Sequence, residues 1–200
     1  MVTRSFQFQD GIYQNLAQLK ANQPGISWKE VTSTYFTNPI SLIAEVDQIT
    51  NKSSQVDLFV DSIFAICKNG TPFINMNSKT TAGMAKFAGL KVRGNLSFYS
   101  YPVKEIEKIK IEAINPLNGQ PFRTGFVEKE KEKTIEKIFK WTDGSTLDFN
   151  QKNMLALVAE DVPLANSIEE LRDFEVKEKL FKCLLIYNDR HSIFVPRTDL

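Results

Sequence analysis

Asp57-Leu-Phe-Val-Asp-Ser-Ile-Phe-Ala-Ile-Cys-Lys-Asn-Gly-Thr-Pro-Phe-Ile-Asn-Met76 decides how the fold of this chain is read. Its first half is rich in β-formers and nearly continuous in apolar residues, which suits a buried strand. Asn69-Gly70 is a dipeptide that supplies positive φ at both corners of a two-residue turn, and Phe73-Ile74 begins a return strand. The stretch predicts a central β-hairpin, with Cys67 packed in it as a small hydrophobe.

Upstream, Asp10-Gly11-Ile12-Tyr13 is a turn into a short apolar pair. Leu16 and Leu19 then sit at helical spacing before Pro24-Gly25, which predicts one short N-terminal helix. From Ile26 to Val46 the β-branched and aromatic residues alternate with polar ones and are interrupted at Asn38-Pro39, the pattern of two strands. Thr50 to Gln55 is a polar turn leading into the central hairpin.

Downstream, Asn75 to Thr81 is polar and loop-like, and Gly83 and Gly89 flank an apolar patch at Met84, Ala85 and Phe87. Leu90 to Tyr101 predicts one or two strands, with Leu96 and Phe98 on one face and Tyr99 and Tyr101 on the other. Pro102 either ends that strand or marks it as an edge. Lys108 to Ile114 alternates, predicting Ile109, Ile111 and Ala113 inward; a turn over Asn115 to Pro121 and a return strand over Phe122 to Val127 follow. Glu128-Lys-Glu-Lys-Glu-Lys133 alternates in sign with period two, so a helix would carry like charges at i,i+4, and a solvated loop or strand end fits better.

Ile135, Phe139 and Trp141 share strand parity, Asp143-Gly144 marks a turn, and Leu147 and Phe149 belong to the return side. At Asn150 the period changes. Asn150 is a helix N-cap, with Phe149 and Met154 at the spacing of a hydrophobic staple. Pro163 separates this helix from the next, and Ser167-Ile-Glu-Glu170 has capping-box spacing before Leu171 and Phe174. A last helix over about 175–188 places Val176, Leu180, Cys183, Leu184 and Tyr187 on one face.

The order of strands first and helices last predicts a single α+β domain over 1–200, sheet-rich over 26–149 and helical over 150–190. Its sheet is expected to be mostly antiparallel and curved, a roll or partial barrel, with a short N-terminal helix and a C-terminal group of helices. A chain of 200 residues with 42% hydrophobic content buries a full core without staples. Its 25 basic and 24 acidic residues leave a formal charge of +1, which gives no field to draw nucleic acid, and no nucleic-acid partner is expected. The opening Met1-Val-Thr-Arg-Ser-Phe-Gln7 has no apolar signal core, and no run long enough to span a membrane as a helix occurs. A leader removed before residue 1 stays open.

Chemistry-bearing patterns are sparse. The single histidine, His191, lies beside Asp189 and Ser192 without a nucleophile elbow, and the expectation is a surface or cap histidine. Cys67 and Cys183 are expected to be free and buried; with one histidine they build no zinc site, and no cofactor is expected. Asp47, Asp57 and Asp61 lack calcium-loop spacing. Ser78-Lys79-Thr80-Thr81 resembles the end of a phosphate loop, but Phe73 and Ser78 stand where its glycines belong. No catalytic residue is assigned. Tyr99 and Tyr101, read as exposed aromatics beside a sheet edge, are the candidate binding surface for a protein or small-molecule partner.

In outline, four segments resemble uncharacterised exported proteins of Bacteroidetes: Asp10-Gly11-Ile12-Tyr13, Ile63 to Asn75, Leu147-Asp148-Phe149-Asn150, and Lys177-Glu178-Lys179-Leu180-Phe181 running to His191. Gly94 to Tyr101 and the Glu/Lys run have no counterpart in that pattern. The resemblance implies a periplasmic or secreted protein whose leader is missing here, and it brings no activity and no functional residues. The combined expectation is a non-enzymatic binding or interaction domain. A small hydrolase-like enzyme with a carboxylate and tyrosine pocket, or a cytoplasmic regulatory module, stands as the alternative.

Overall fold

A computed structural model of the chain describes residues 1–3, 6–114, 117 and 121–196, with the side chains of Phe122, Asp173 and Lys177 outside that description. The fold is α+β, a mostly antiparallel, curled half-barrel sheet with its helices mainly at the C-terminal end. In chain order its elements are β1 (Gly11–Tyr13), α1 (Leu16–Ala21), β2 (Val31–Asn38), β3 (Ile43–Asn51), a 3-10 turn at Val60–Ser62, β4 (Ala65–Lys68), β5 (Thr71–Lys79) and β6 (Ala85–Gly89). Then follow β7 (Leu96–Ile114), β8 (Pro121–Lys140), β9 (Thr146–Asp148), α2 (Gln151–Leu157), α3 (Val162–Glu169) and α4 (Asp173–Arg190). Six strands form one sheet in the order β1-β4-β5-β6-β3-β2, and three form a second in the order β7-β8-β9.

The central hairpin is β4 and β5. Lys68 pairs with Thr71 across Asn69 and Gly70, whose φ values of 51° and 68° are those of the tight mirror-image turn that follows strand twist. Residues 57–64 do not join the ladder as a strand; they run through the 3-10 turn. The sequence places polar Asn75 to Thr81 in a loop, but β5 continues to Lys79. Its ladder with β6 shifts register between Asn75 and Lys79, so main-chain pairing holds a segment whose side chains are polar.

The chain divides into two compact units, Met1–Tyr101 with Glu136–Leu200, and Pro102–Ile135. In the first unit, alternate residues of each strand feed opposite faces. Tyr13, Cys67, Ile74 and Ala88 from the six-stranded sheet meet Tyr99 and Phe139 from the three-stranded one and Trp141 in the turn just after β8. Ile12, Ile66, Phe73 and Phe87 gather on the other face of the large sheet with Val31 and Val46. Leu96, Phe98 and Ile138 pack against Met154, Ile168, Leu180 and Leu184 of the three C-terminal helices. Each fully buried Leu, Ile or Phe contributes about 1.5–3 kcal/mol, and these clusters hold the unit together.

Asn150 caps α2, its side chain accepting from the Asn153 N–H at 2.9 Å. Two expected helix boundaries are corrected. Pro163 lies inside the first turn of α3, where its missing N–H has no helical partner to lose, and Asp161 is the cap. Ser167 is interior to α3, its hydroxyl donating to the Pro163 carbonyl at 2.9 Å, because Leu164 and Ile168 bury one helical face through that point. The capping contact falls five residues later and is one-sided, the Glu175 carboxylate accepting from the Arg172 N–H at 3.2 Å while the arginine side chain has no acceptor to return the bond. Among the described residues no helix is long and apolar enough to cross a membrane.

The second unit is the distal part of β7 and β8. Lys104 with Glu130, Glu105 with Lys133, Glu107 with Lys131 and Lys108 with Glu128 form ion pairs whose numbering runs in opposite senses, as in an antiparallel ladder. The Glu/Lys run is therefore mid-strand, which corrects its placement in a loop or at a strand end. Period-two sign alternation puts Glu128, Glu130 and Glu132 on one face and Lys129, Lys131 and Lys133 on the other. Ile109 and Ile111, expected to point inward, are exposed, and Ala113 with them. Strand alternation identifies two faces and cannot by itself say that either is covered. The turn expected over Asn115 to Pro121 lies largely outside the described residues.

Candidate binding surfaces

Tyr99 and Tyr101 stand on one face of β7, their rings stacked with centroids 6.3 Å apart. Tyr99 is only 4% exposed and belongs to the core shared with Phe139 and Trp141. Burial pushes its phenol above the ordinary value, while a side-chain hydrogen bond with Thr146 opposes that shift. The expectation that both tyrosines are exposed is thus corrected for Tyr99. Tyr101 is half-buried at the rim of the same cluster. β7 is a sheet edge, as Pro102 suggests, but the strand on either side of Tyr99 is covered.

Exposed apolar side chains occur singly along the chain, as at Phe36, Ile40, Phe59, Phe174 and Phe194, and a group of them lies in 102–135. Ile106 is 66% exposed and Phe126 70%, and Ile111, Ile114 and Val127 are exposed with them. All but Ile106 occupy the half of the hairpin nearest 114 and 121, whereas the cross-strand ion pairs, with Ile106 between Glu105 and Glu107, occupy the half nearest 102 and 135. A two-stranded ribbon is marginally stable in water, so cross-strand pairs are its principal source of register. On each face β7 and β8 carry opposite charges: Glu105 and Glu107 meet Lys131 and Lys133, and Lys104 and Lys108 meet Glu128 and Glu130. These pairs are exposed and contribute little apiece, but every one-residue slip would set like charge beside like.

The remaining candidates are structural. Asp57 accepts from the Thr50 hydroxyl at 2.6 Å and from Gln48 at 2.8 Å, which holds its carboxyl below the usual range. Asp61 pairs with Lys79 at 2.7 Å, and Asp47 is exposed on β3. His191 caps α4, stacks on Tyr187 with ring centroids 4.3 Å apart, and brings Nε2 to 3.6 Å from the Asp161 carboxylate. Arg190 Nη1 donates to both oxygens of Asp161, at 2.8 and 2.9 Å, joining the start of α3 to the end of α4. Cys67 and Cys183 are free and buried. Among the described residues no cluster of three or more His, Cys, Asp or Glu side chains is arranged to hold a metal ion.

The sequence does contain the signal for the hairpin. The acidic and basic residues of 104–110 are complementary, face by face, to those of 128–133, and a charge match between two distant alternating segments marks them as neighbours. Comparison with family models, with curated proteins and with solved structures finds no match.

Proposed function

We propose that the protein is a non-enzymatic interaction domain and that the hairpin 102–135 is its contact element. The observation that carries this reading is the exposed apolar set on that hairpin, Ile106, Ile111, Ile114, Phe126 and Val127. Large side chains left in water on both faces of a ribbon have no folding role there, and covering Phe126 and Ile106 would contribute about 1.5–3 kcal/mol each. Pairing of two β8 edges about a twofold axis would oppose residues of the same parity, setting Lys beside Lys and Glu beside Glu. That charge pattern favours a different chain as the partner. The near-neutral total charge supports a protein partner over nucleic acid.

A periplasmic or secreted location is part of the proposal and rests on the resemblance of segments such as Asp10 to Tyr13 and Ile63 to Asn75. Photo-crosslinking in cells that carry the gene tests the contact element. A benzophenone amino acid placed at Phe126 should give a discrete adduct with another chain, and the same probe at the exposed Lys29 should not. No adduct at either Phe126 or Ile106 would sink the reading. Cell fractionation of the same strain tests the location, and recovery in the cytosol alone would refute it.

A further inference from the structure

A second site lies in the first unit. A cleft of about 530 Å³ opens where the loop after β6 meets α4 and the N-terminal segment. Leu42, Leu90, Phe181 and Leu185 contribute its apolar wall, and Lys91 and Arg93 contribute its cations. Its volume is that of a pocket for a small molecule. The wall has two origins: Leu90 is a core residue pulled in by the large sheet, while Leu185 sits on the outer side of α4 and is 39% exposed.

Arg93 is the unusual member. Its Nη1 donates to the Phe6 carbonyl at 2.6 Å and its Nη2 to the Thr71 hydroxyl at 2.9 Å. Those two bonds fix the plane of the guanidinium and use two of its five N–H donors. Among the described residues Arg93 has no carboxylate in ion-pair contact, although it is half-buried and burial already disfavours its charge. A desolvated cation without an anion is a costly arrangement, and its usual resolution is a carboxylate or phosphate. Lys91 stands two residues away, its ammonium donating to the Ser100 hydroxyl at 2.7 Å, and Asp189 is the one acidic residue lining the cleft. Asn188 spends its side-chain carbonyl and one amide N–H on the main chain of Leu96, so it is a neutral, largely engaged member of the lining. The balance of charge in the lining is therefore positive, beside an apolar wall.

We infer that this cleft binds a small monocarboxylate with an apolar body, its carboxylate on Arg93 and its body against Leu90, Phe181 and Leu185. A guanidinium held by two bonds presents its remaining donors in a fixed plane, which suits the two oxygens of a carboxylate better than a point anion. The apolar wall discriminates against small hydrophilic acids such as acetate. The carboxylate is either that of a free acid or that of a peptide C-terminus.

Calorimetric titration of the full chain tests this, with hexanoate, hexylamine, acetate and an acetylated tripeptide ending in leucine as probes. Saturable binding of hexanoate or the tripeptide is expected, at least tenfold tighter than acetate or hexylamine, and the tighter of the two identifies the source of the carboxylate. Arg93→Gln should weaken that binding by at least tenfold. Because Arg93 also ties Phe6 to Thr71, Leu185→Glu is the second variant; it sits on an exposed helix face and places a negative charge on the wall without touching those bonds. Loss of binding in Leu185→Glu with an unchanged melting temperature supports the site. Absence of saturable carboxylate binding overturns it, as does binding unchanged in both variants. The hairpin reading does not depend on either result.

Discussion

Asp10 closes the Asn69-Gly70 turn from a distant part of the chain: its Oδ1 accepts from the Gly70 N–H at 2.8 Å and its Oδ2 from the Asn69 N–H at 3.0 Å. Both corner residues hold positive φ, so the turn presents two adjacent amides that the β4–β5 ladder leaves unpaired, and one carboxylate takes both. Asp10→Ala should destabilise the protein by about 2 kcal/mol, the range for charge-assisted bonds to partly buried donors. Asp10→Asn, which keeps one acceptor, should lose about half of that. Urea denaturation of the three proteins checks the order, and equal midpoints would show that water replaces the carboxylate.

Asn188 plays the corresponding part at the start of β7. Its side-chain oxygen accepts from the Leu96 N–H at 2.9 Å and its amide donates to the Leu96 carbonyl at 2.8 Å, so α4 completes the main-chain pairing at the first residue of β7. Asn188→Leu should cost about 2–3 kcal/mol, since it strands a buried donor and an acceptor. Gly94→Ala should be destabilising for the same reason, because its Cβ would lie 2.5 Å from the Asn188 side chain. Thermal unfolding measures both, and a melting temperature within a degree of the parent would contradict this reading.

How much of this was legible follows from where each signal resides. Local signals are in the side chains: Asn69-Gly70 states its turn, Asn150 its cap, and the stripe from Val176 to Tyr187 its buried face. Tyr99 shows the first limit. Its alternation with Phe98 is correct, but both faces of β7 are covered there, by the large sheet and by the helices, and a strand does not record how many layers it lies between. Ile109 and Ile111 show the converse, a strand pattern with neither face covered. The Arg93 cleft escaped because its residues come from five separated segments, each ordinary in its own context.

Asp161 links acid sensitivity to the helical layer. Its side-chain bond with Arg190 holds its carboxyl below the ordinary value of 3.8, and burial opposes that only in part. A carboxyl depressed in the folded state stabilises fully above the unfolded value and loses that contribution as pH falls through the folded one. Stability should therefore decline below about pH 4, with release of α3 from α4. Asp161→Asn should be less stable than the parent at pH 7 and show a smaller further loss on acidification. Helix content followed by circular dichroism from pH 7 to pH 2 checks both, and parallel titration curves for the two proteins would rule the link out.

The last test joins Asp10 to Cys67, whose sulfur lies 3.6 Å from Asp10 Oδ1 and 3.7 Å from the Phe8 carbonyl. Burial pushes the Cys67 thiol far above its ordinary value and the Asp10 charge adds to that, so the nucleophilic thiolate is scarce at any physiological pH. Cys183 is raised as well, again by burial. In the native protein at pH 8 both thiols should react with an aromatic disulfide at least a hundredfold more slowly than in urea. Asp10→Ala should speed Cys67 by removing the adjacent negative charge and loosening the turn, while leaving Cys183 unchanged. Mass spectrometry of the labelled peptides separates the two cysteines, and equal acceleration at both would point to general loosening of the fold and against a local electrostatic effect.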